Sequence, residues 1–327
     1  LMTIFSIILS SALVVLIMVF LTLSIRDVNA PVILKKYIYN QIESLNLTDQ
    51  FDFSRLQISL GENFKPNIIV SEVTIYDSKN RKPFLEISKV ELGLSIKQLY
   101  SGKFDLTTIS LDGLSLGVKR DIKGDYSVKF GPGSPLTDES DNTLFPLSET
   151  FKNFLEKDVF LNLENFKVTS MTVQYDDQKA SSLWVVDGAS IEFKRQINDI
   201  SVRVDAAVLM GGADISTLQI NYETNLSSGN GSLGILFDDF PAKEIAVQSP
   251  ALSWLNVVEA PISGAFRTKI GSDMEVHEIS ASLKIGTGVL RADAKSRPLH
   301  FDNANVYFSY DSKINLLNFL SLIHISE

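Results

Sequence analysis

Apolar residues alternate with polar ones over most of this chain, and the stretch from Leu99 to Val128 shows the alternation most clearly. A period of two residues predicts a β-strand with one face buried. The apolar positions of this strand are Ile109, Leu111, Leu114, Leu116 and Val118. They change phase by one residue at Asp112-Gly113, which indicates a β-bulge or a tight turn. The polar run from Arg120 to Asp125 then predicts a hairpin that leads into the next strand.

Seven copies of one apolar motif indicate that the same strand unit is reused along the chain. In each copy, two alternating apolar residues precede a two-residue slip and two more follow it. The copies occupy residues 68–75, 85–92, 109–116, 166–173, 184–191, 274–281 and 299–306. Two interpretations of the slip compete: a two-residue hairpin, whose chemistry Asp112-Gly113 and Asp187-Gly188 provide, or a bulge within one long strand. Because pairs such as Ser71-Glu72 and His277-Glu278 tolerate positive φ poorly, we predict bulges.

The first 25 residues carry no charged side chain, and Ile4 to Leu23 is long enough to cross the hydrocarbon core of a bilayer. A signal peptide is the alternative, since Val28-Asn29-Ala30 resembles a cleavage site. The apolar run exceeds an ordinary signal-peptide core, and Pro31 directly follows the supposed cut. The sequence therefore predicts a transmembrane anchor over residues 1–25. Apolar residues at helical spacing within residues 26–50 predict an amphipathic juxtamembrane helix.

The remainder of the chain divides at one polar segment. Residues 51–130 are predicted to form a first β-sheet segment, and residues 149–327 a continuing one. Between them, residues 131–148 are rich in Gly, Pro, Ser and acidic residues, which predicts a flexible loop. Helices are few: Ser148 caps a predicted short helix at 149–156, and one or two helical turns are predicted at 250–258. The fold class is mainly β with an N-terminal transmembrane helix.

Composition excludes several classes of function. The net charge of −9 and a pI near 5.0 argue against nucleic-acid binding and against electrostatic docking on anionic lipid head groups. The chain contains no cysteine, which excludes disulfides, thiolate metal sites and a cysteine nucleophile.

The polar motifs of the chain do not indicate an enzyme. A G-x-G-x-x-G sequence at Gly229, Gly231 and Gly234 lacks the strand before it and the helix after it that a dinucleotide site requires, so we predict a hairpin. The three histidines match no metal spacing. The pairs Asp176-Asp177 and Asp238-Asp239 lie beside predicted turns and are assigned to solvated surface. The sequence therefore predicts no catalytic residues, no metal and no cofactor.

Several of these features together resemble one protein family. They are the apolar N-terminus, Leu99 with Gly102-Lys103, the slip at Asp112-Gly113, the hairpin at Arg120-Asp121 and Gly124, and the strand opening at 260–266. In this combination the chain resembles the AsmA-like envelope proteins of Gram-negative bacteria, in particular the YhdP and TamB branch. The resemblance is most specific over residues 1–130.

The resemblance implies a fold, a location and a function. The fold would be an elongated, curved antiparallel β-sheet that forms an open, β-taco-like trough with an apolar inner face. A single-pass inner-membrane anchor at residues 4–25 would hold this body in the periplasm. Family members are thought to carry phospholipids between the inner and outer membranes. They are much longer than this chain, so the resemblance also implies an N-terminal fragment.

The predicted lipid-binding residues are the apolar positions of three of the repeated strands. They are Ile109, Leu111, Leu114, Leu116, Phe166, Val168, Met171, Val173, Trp184 and Val186. The same rows would equally form the closed core of a β-sandwich. The expected partners are membrane phospholipid and an outer-membrane or periplasmic protein. The alternative function is an anchored scaffold or assembly factor for outer-membrane proteins, without lipid cargo.

Overall fold

A computed structural model describes most of the chain from residue 50 onward and a few residues before it. The described residues are 14, 17–18, 21–23, 25–31, 36, 50–61, 65–76, 83–101, 105–130, 145–146, 162–210, 215–247, 250–272, 275–291, 293, 295, 297–311, 314 and 316–324. Most of the predicted anchor and juxtamembrane helix, and the helix predicted at 149–156, lie outside them. Among the described residues, no helix has both the length and the apolar character needed to cross a bilayer.

The prediction of a mainly β fold with few short helices is confirmed. The strands are β1 (Val28–Asn29), β2 (Gln50–Asp52), β3 (Arg55–Leu60), β4 (Pro66–Tyr76), β5 (Pro83–Leu94), β6 (Leu106–Arg120), β7 (Tyr126–Phe130), β8 (Phe145–Pro146), β9 (Asn165–Asp177), β10 (Ser182–Gln196), β11 (Asp199–Leu209), β12 (Ile215–Asn225), β13 (Gly231–Pro241), β14 (Val258–Glu259), β15 (Pro261–Ile270), β16 (Val276–Ile285), β17 (Gly288–Leu290), β18 (Leu299–Phe301), β19 (Asn303–Asp311) and β20 (Leu316–His324). The helices whose bounds fall within the described residues are α1 (Ile96–Tyr100), α2 (Ala242–Ala246) and the 3₁₀ helix η1 (Pro250–Val257). The last of these confirms the helical turns predicted at 250–258.

The chain forms two compact units. The first comprises Leu1–Leu114 and Lys152–Glu164, and the second comprises Ser115–Phe151 and Asn165–Glu327. Strand β6 therefore passes from one unit into the other. Apart from β8, the loop predicted at 131–148 lies outside the described residues.

In the first unit, strands β3, β4, β5 and the first part of β6 pair antiparallel in chain order. The pairing places Leu56, Val70, Val90 and Leu111 opposite one another in successive strands, so their side chains share one face. Leu56 and Val70 are buried in the core of this unit. Helix α1 connects β5 to β6, and the Ser95 hydroxyl caps it by accepting a hydrogen bond from the Gln98 N–H at 3.4 Å.

The slips are not hairpins in five of the seven repeated motifs, since β4, β5, β6, β9 and β10 each run unbroken through the slip. The predicted bulge is confirmed in β9 and β10, where the register shifts at the slip. In β4, β5 and β6 the irregular residues Glu72, Ser88 and Gly113 are opposite one another in neighbouring strands, so the register between these strands is unchanged there and no bulge forms. Glu72 and Gly113 have positive φ angles of 54° and 76°, so the expectation that Ser71-Glu72 avoids positive φ is wrong at Glu72. In β10 the slip at Asp187-Gly188 shifts the register against both neighbouring strands.

The bulge prediction is wrong for the last copy, residues 299–306. There the chain passes from one sheet to another at Asp302, because β18 pairs with β17 whereas β19 pairs with β16. In the sixth copy β16 begins at Val276, and Met274 lies outside the described residues.

The second unit contains a long antiparallel meander. Strands β9, β10, β11, β12, β13, β15, β16, β19 and β20 pair in that order. The predicted hairpin after β6 is confirmed: β6 pairs with β7, and the Asp121 carboxylate accepts the N–H groups of Gly124 and Asp125 at 2.8 and 2.9 Å. These backbone donors, that of Asp125 foremost, lower the pKa of Asp121.

Candidate functional site

One row of side chains crosses all nine strands of the meander in the second unit, and every member is apolar. Directly opposed residues of antiparallel strands point to the same face of a sheet. The row, which we call the central apolar row, consists of Val168, Ile191, Val204, Ile220, Ile235, Phe266, Ala281, Phe308 and Phe319. The meander therefore presents a continuous hydrocarbon surface along its strand order.

The neighbouring row, displaced by one residue in each strand, lies on the opposite face and contains no apolar side chain. Its members are Lys167, Glu192, Arg203, Asn221, Gly234, Arg267, Ser280, Ser309 and Asn318. Arg203 forms a bidentate ion pair with Asp205, at 2.8 and 3.1 Å. At the level of these two rows, the sheet of the second unit is thus apolar on one face and polar on the other. Farther along the strands the face with the polar row also carries apolar side chains, Leu236, Tyr307 and Leu320.

Most of the central apolar row is only half-buried. Val168 is 3% exposed at one end and Phe319 is 67% exposed at the other, while the seven residues between them are half-buried. In a closed β-sandwich we would expect the middle of such a row to be the most deeply buried part. In the described part of the chain, this face is therefore open.

The face is covered at one end of the strands. Helices α2 and η1, together with the small sheet β14-β17-β18, pack there over the ends of β15, β16 and β19. Ile262, Ile285 and Ala304 lie in this core, and Leu255 of η1 is 1% exposed. Within this cover, Lys243 of α2 donates to Glu259 of β14 at 3.1 Å and lowers the pKa of that carboxyl.

The structure brings six of the ten predicted lipid-binding residues together in the second unit. Phe166, Val168, Met171 and Val173 of β9 face the same side as Trp184 and Val186 of β10. Val168 and Met171 are buried, and the other four are half-buried. The Trp184 indole donates to Glu244 of α2 at 3.0 Å, so this residue also holds the cover in place.

The other four predicted residues lie along β6. Ile109, Leu111 and Leu114 belong to the first unit, where they oppose Leu92, Val90 and Ile87 of β5. Ile109 and Leu114 are buried and Leu111 is half-buried. Leu116 is half-buried and belongs to the second unit.

The more accessible part of the apolar face lies in strands β12 to β20, which the sequence analysis did not select. Ile220, Ile235, Phe266 and Phe308 lie in this part of the face. The residues that follow Ile220 and Phe266 in sequence, Asn221 and Arg267, are polar and point to the other face. The alternation along each strand is visible in the sequence. The sequence does not show which residues of neighbouring strands lie side by side, because that depends on the register of eight strand pairs.

Asp177 is a correction to the sequence analysis, which assigned it to solvated surface. Its side chain is fully buried, and it accepts hydrogen bonds from Arg120 and Tyr175, both at 3.1 Å, and from the Ala180 N–H at 3.0 Å. Burial and hydrogen bonding to Tyr126 and Asp177 raise the pKa of Tyr175. The reason is tertiary: Arg120, at the end of β6, supplies a positive charge that the sequence around Asp177 does not reveal.

The other polar motifs lie where the sequence placed them. Asp238-Asp239 is exposed at a bulge in β13, where Asp239 has φ of 57°. The glycine motif forms the β12–β13 hairpin, with Gly229 in its turn at φ of 69°. His300 and His324 are exposed and His277 is half-buried. Among the described residues, no group of three or more His, Cys, Asp or Glu side chains is close enough to hold a metal ion.

Two surface grooves of about 690 and 480 Å³ run along strands β12 to β20, and Arg267, Ser280, Ser309 and Asn318 of the polar row line both of them. Apolar side chains line them as well, Leu236 and Leu316 in the larger groove and Tyr307 and Leu320 in the smaller one. Each groove therefore mixes charged and polar groups with apolar ones, whereas the central apolar row is uninterrupted. Because an acyl chain pairs with none of the polar groups, the central apolar row is the better candidate for binding hydrocarbon.

The fold and this surface define a mainly β protein whose sheet carries a continuous apolar row on one face. No family model matches the chain, and neither curated proteins nor solved structures show significant similarity to it.

Proposed function

We propose that this chain is a membrane-anchored envelope protein that binds lipid acyl chains on the central apolar row and assists phospholipid transport between the inner and outer membranes. In this proposal residues 4–25 cross the inner membrane once, the body lies in the periplasm, and the sheet is the curved wall of an open trough. The observation that carries the proposal is the row of nine apolar side chains, half-buried over its middle, backed by an entirely polar row.

The length of the row suits an acyl chain. Neighbouring strands are about 4.8 Å apart, so nine strands span about 38 Å. A phospholipid tail crosses one leaflet, about 15 Å of a bilayer's hydrocarbon core. The row therefore exceeds the length of one tail, and a tail lying across the strands would contact apolar side chains over its whole length.

The energetics require such a continuous surface. Each methylene group withdrawn from water stabilises the bound acyl chain by about 0.8 kcal/mol. A gap in the apolar surface that left several methylenes in water would therefore be a large free-energy barrier to movement of the lipid. Ile220, Ile235 and Phe266 oppose one another directly, without a polar residue between them. Transport along this surface requires no catalytic group.

Photocrosslinking at adjacent residues of β15 tests the proposal. A photoreactive phenylalanine derivative replaces Phe266, in the central apolar row, or Arg267, the next residue on the polar face. Because the two probes share a strand and differ only in face, we expect phospholipid adducts at Phe266 and none at Arg267 after irradiation in cells. Adducts are identified by mass spectrometry of the purified protein.

Two other results would contradict the proposal. Equal lipid labelling at both positions would show contact without selection by the apolar face. Protein adducts at Phe266 without lipid adducts would favour the scaffold or assembly function.

A further inference from the structure

Two neighbouring hairpins of the second unit end in exposed aliphatic side chains. Ile197 lies in the turn between β10 and β11 and is 96% exposed, the largest value among the large apolar side chains of the described residues. Leu226 lies in the turn between β12 and β13 and is 50% exposed. We call Ile197-Asn198 and residues 226–230 the paired hairpin tips.

The two tips lie side by side at one edge of the sheet. Asp199 opposes Asn225 in the register of β11 and β12, and the Asn225 side-chain amide donates to the Asp199 carboxylate at 2.8 Å. The Leu226 N–H donates to the Asn198 carbonyl at 2.6 Å. These contacts join the tips into one surface with two aliphatic projections.

The second tip satisfies its own backbone donors. Every N–H group from 225 to 230 donates to an acceptor within the protein. The acceptors are, in order, the Asn230 carbonyl (2.9 Å), the Asn198 carbonyl (2.6 Å), the Asn225 side-chain oxygen for both Ser227 and Ser228 (3.1 and 2.9 Å), the Asn225 carbonyl (2.8 Å) and the Ser228 hydroxyl (3.3 Å). Transfer of a turn from water to a less polar environment costs much less free energy when its backbone N–H groups are already hydrogen-bonded within the protein.

Charge distinguishes these tips from other turns that expose an aliphatic side chain. Residues 197–198 and 226–230 contain no ionisable side chain, and the nearest one in sequence, the exposed Asp199, accepts a hydrogen bond from the Asn225 amide. The β6–β7 tip exposes Ile122 at 77%, but Asp121 and Lys123 are its direct neighbours in sequence. The β19–β20 turn exposes Ile314 at 66%, and Lys313 precedes it in sequence. Ile197 and Leu226 thus have no charged residue directly beside them in sequence.

We infer that the paired hairpin tips insert into the interfacial region of a zwitterionic phospholipid bilayer. Two separate side chains projecting from turns do not make the contiguous surface of about 800 Å² per partner that a stable protein interface requires. They suit a fluid interface, where single aliphatic groups enter between head groups. The absence of basic residues from both tips makes anionic lipid unnecessary. This inference goes beyond acyl-chain binding on the central apolar row and does not depend on it.

The chain contains no cysteine, so a single introduced cysteine can be labelled without ambiguity. The full chain is labelled with an environment-sensitive dye at Ile197→Cys, Leu226→Cys or, as the matched control, Ile122→Cys. It is mixed with phosphatidylcholine vesicles whose acyl chains carry bromine, which quenches the dye by contact. The N-terminal apolar segment is the same in all three proteins, so differences between them report the local depth of each turn.

We expect a blue shift and at least twofold stronger quenching at Ile197→Cys and Leu226→Cys than at Ile122→Cys. Adding Ile197→Asn to the Leu226→Cys protein removes one aliphatic anchor and should weaken insertion of this edge about tenfold. Equal quenching at all three positions, or none at either tip, would overturn the inference. A blue shift that appears without vesicles and grows with protein concentration would also overturn it, since a second copy of the chain would then cover the tips.

Discussion

At the scale of single residues, Asp177 is the one charged side chain among the buried residues of the described part of the chain. It is fully buried, and Arg120, its ionic partner, is only 16% exposed. The Arg120 Nε has no hydrogen-bond partner among the described residues, and its guanidinium lies over the Tyr126 ring at 5.6 Å. The charge of Arg120 is therefore compensated chiefly by one carboxylate. A buried ion pair of this kind adds little net free energy to folding, but removal of one partner is strongly destabilising because the other charge stays buried without a counter-ion.

Asp177→Asn should lower the free energy of unfolding by about 3 kcal/mol, because it leaves the buried Arg120 charge without its counter-ion. The control is Asp176→Asn, whose side chain is half-buried on the opposite face and should change stability by less than about 1 kcal/mol. Urea denaturation followed by tryptophan fluorescence measures the effect, since both tryptophans, Trp184 and Trp254, lie in the second unit. Equal effects of the two substitutions would contradict the prediction.

At the scale of elements, the slips within strands are sites of conformational constraint. Gly113 of β6 has φ of 76°, and a Cβ atom placed there would lie 2.9 Å from the Ser88 Cβ of β5. Gly188 of β10 has φ of 64° but open space around its missing side chain. The first glycine is thus required by both backbone angle and packing, and the second by backbone angle alone.

Gly113→Ala should destabilise the first unit by about 2–3 kcal/mol, the sum of left-handed strain and the clash with Ser88. In a Ser88→Gly background the clash disappears, and the same substitution should cost only about 1 kcal/mol. Gly188→Ala should likewise cost about 1 kcal/mol. Hydrogen exchange of β5 and β6 measures the first two values. A cost at Gly113 that Ser88→Gly leaves unchanged would show that packing plays no part.

At the scale of the whole molecule, the second unit has two kinds of apolar surface. The core beneath α2 and η1 is closed, with Leu255 and Ile262 each 1% exposed. The central apolar row is half-buried over most of its length. The first kind holds the fold together, and the second remains partly exposed, as the proposed binding of acyl chains requires.

Alanine substitutions should distinguish the closed core beneath α2 and η1 from the central apolar row. Leu255→Ala should cost about 3 kcal/mol, because it leaves a cavity in a closed core. Ile235→Ala, in the row, should cost about 1 kcal/mol and should reduce the phospholipid that copurifies with the protein. Denaturation midpoints and lipid mass spectrometry give the two readouts. If Ile235→Ala is as destabilising as Leu255→Ala, the row is a closed core and the proposed function fails.

The sequence predicted the parts of this fold that depend on neighbouring residues. Alternation over Ile109 to Leu116 predicted a strand, and the changes of phase at Asp112-Gly113 and Asp187-Gly188 predicted irregularities in β6 and β10. Contacts distant in sequence were not predicted: Asp177 is buried because Arg120 lies 57 positions away. The candidate surface was found in part, since β9 and β10 were selected, whereas the accessible rows of β12 to β20 depend on register. Register is a property of strand pairs, which no single strand encodes.

The strict alternation between the two rows constrains how this sequence can evolve. Unless a bulge absorbs it, loss or gain of one residue within a strand of the meander would turn the remaining side chains to the wrong face and interrupt the central apolar row. Insertion of a complete hairpin changes no face and extends the row by two strands, about 10 Å. Lineages of such a protein should therefore differ in length by whole hairpins, with single-residue insertions and deletions confined to the turns and to bulges such as those in β10 and β13.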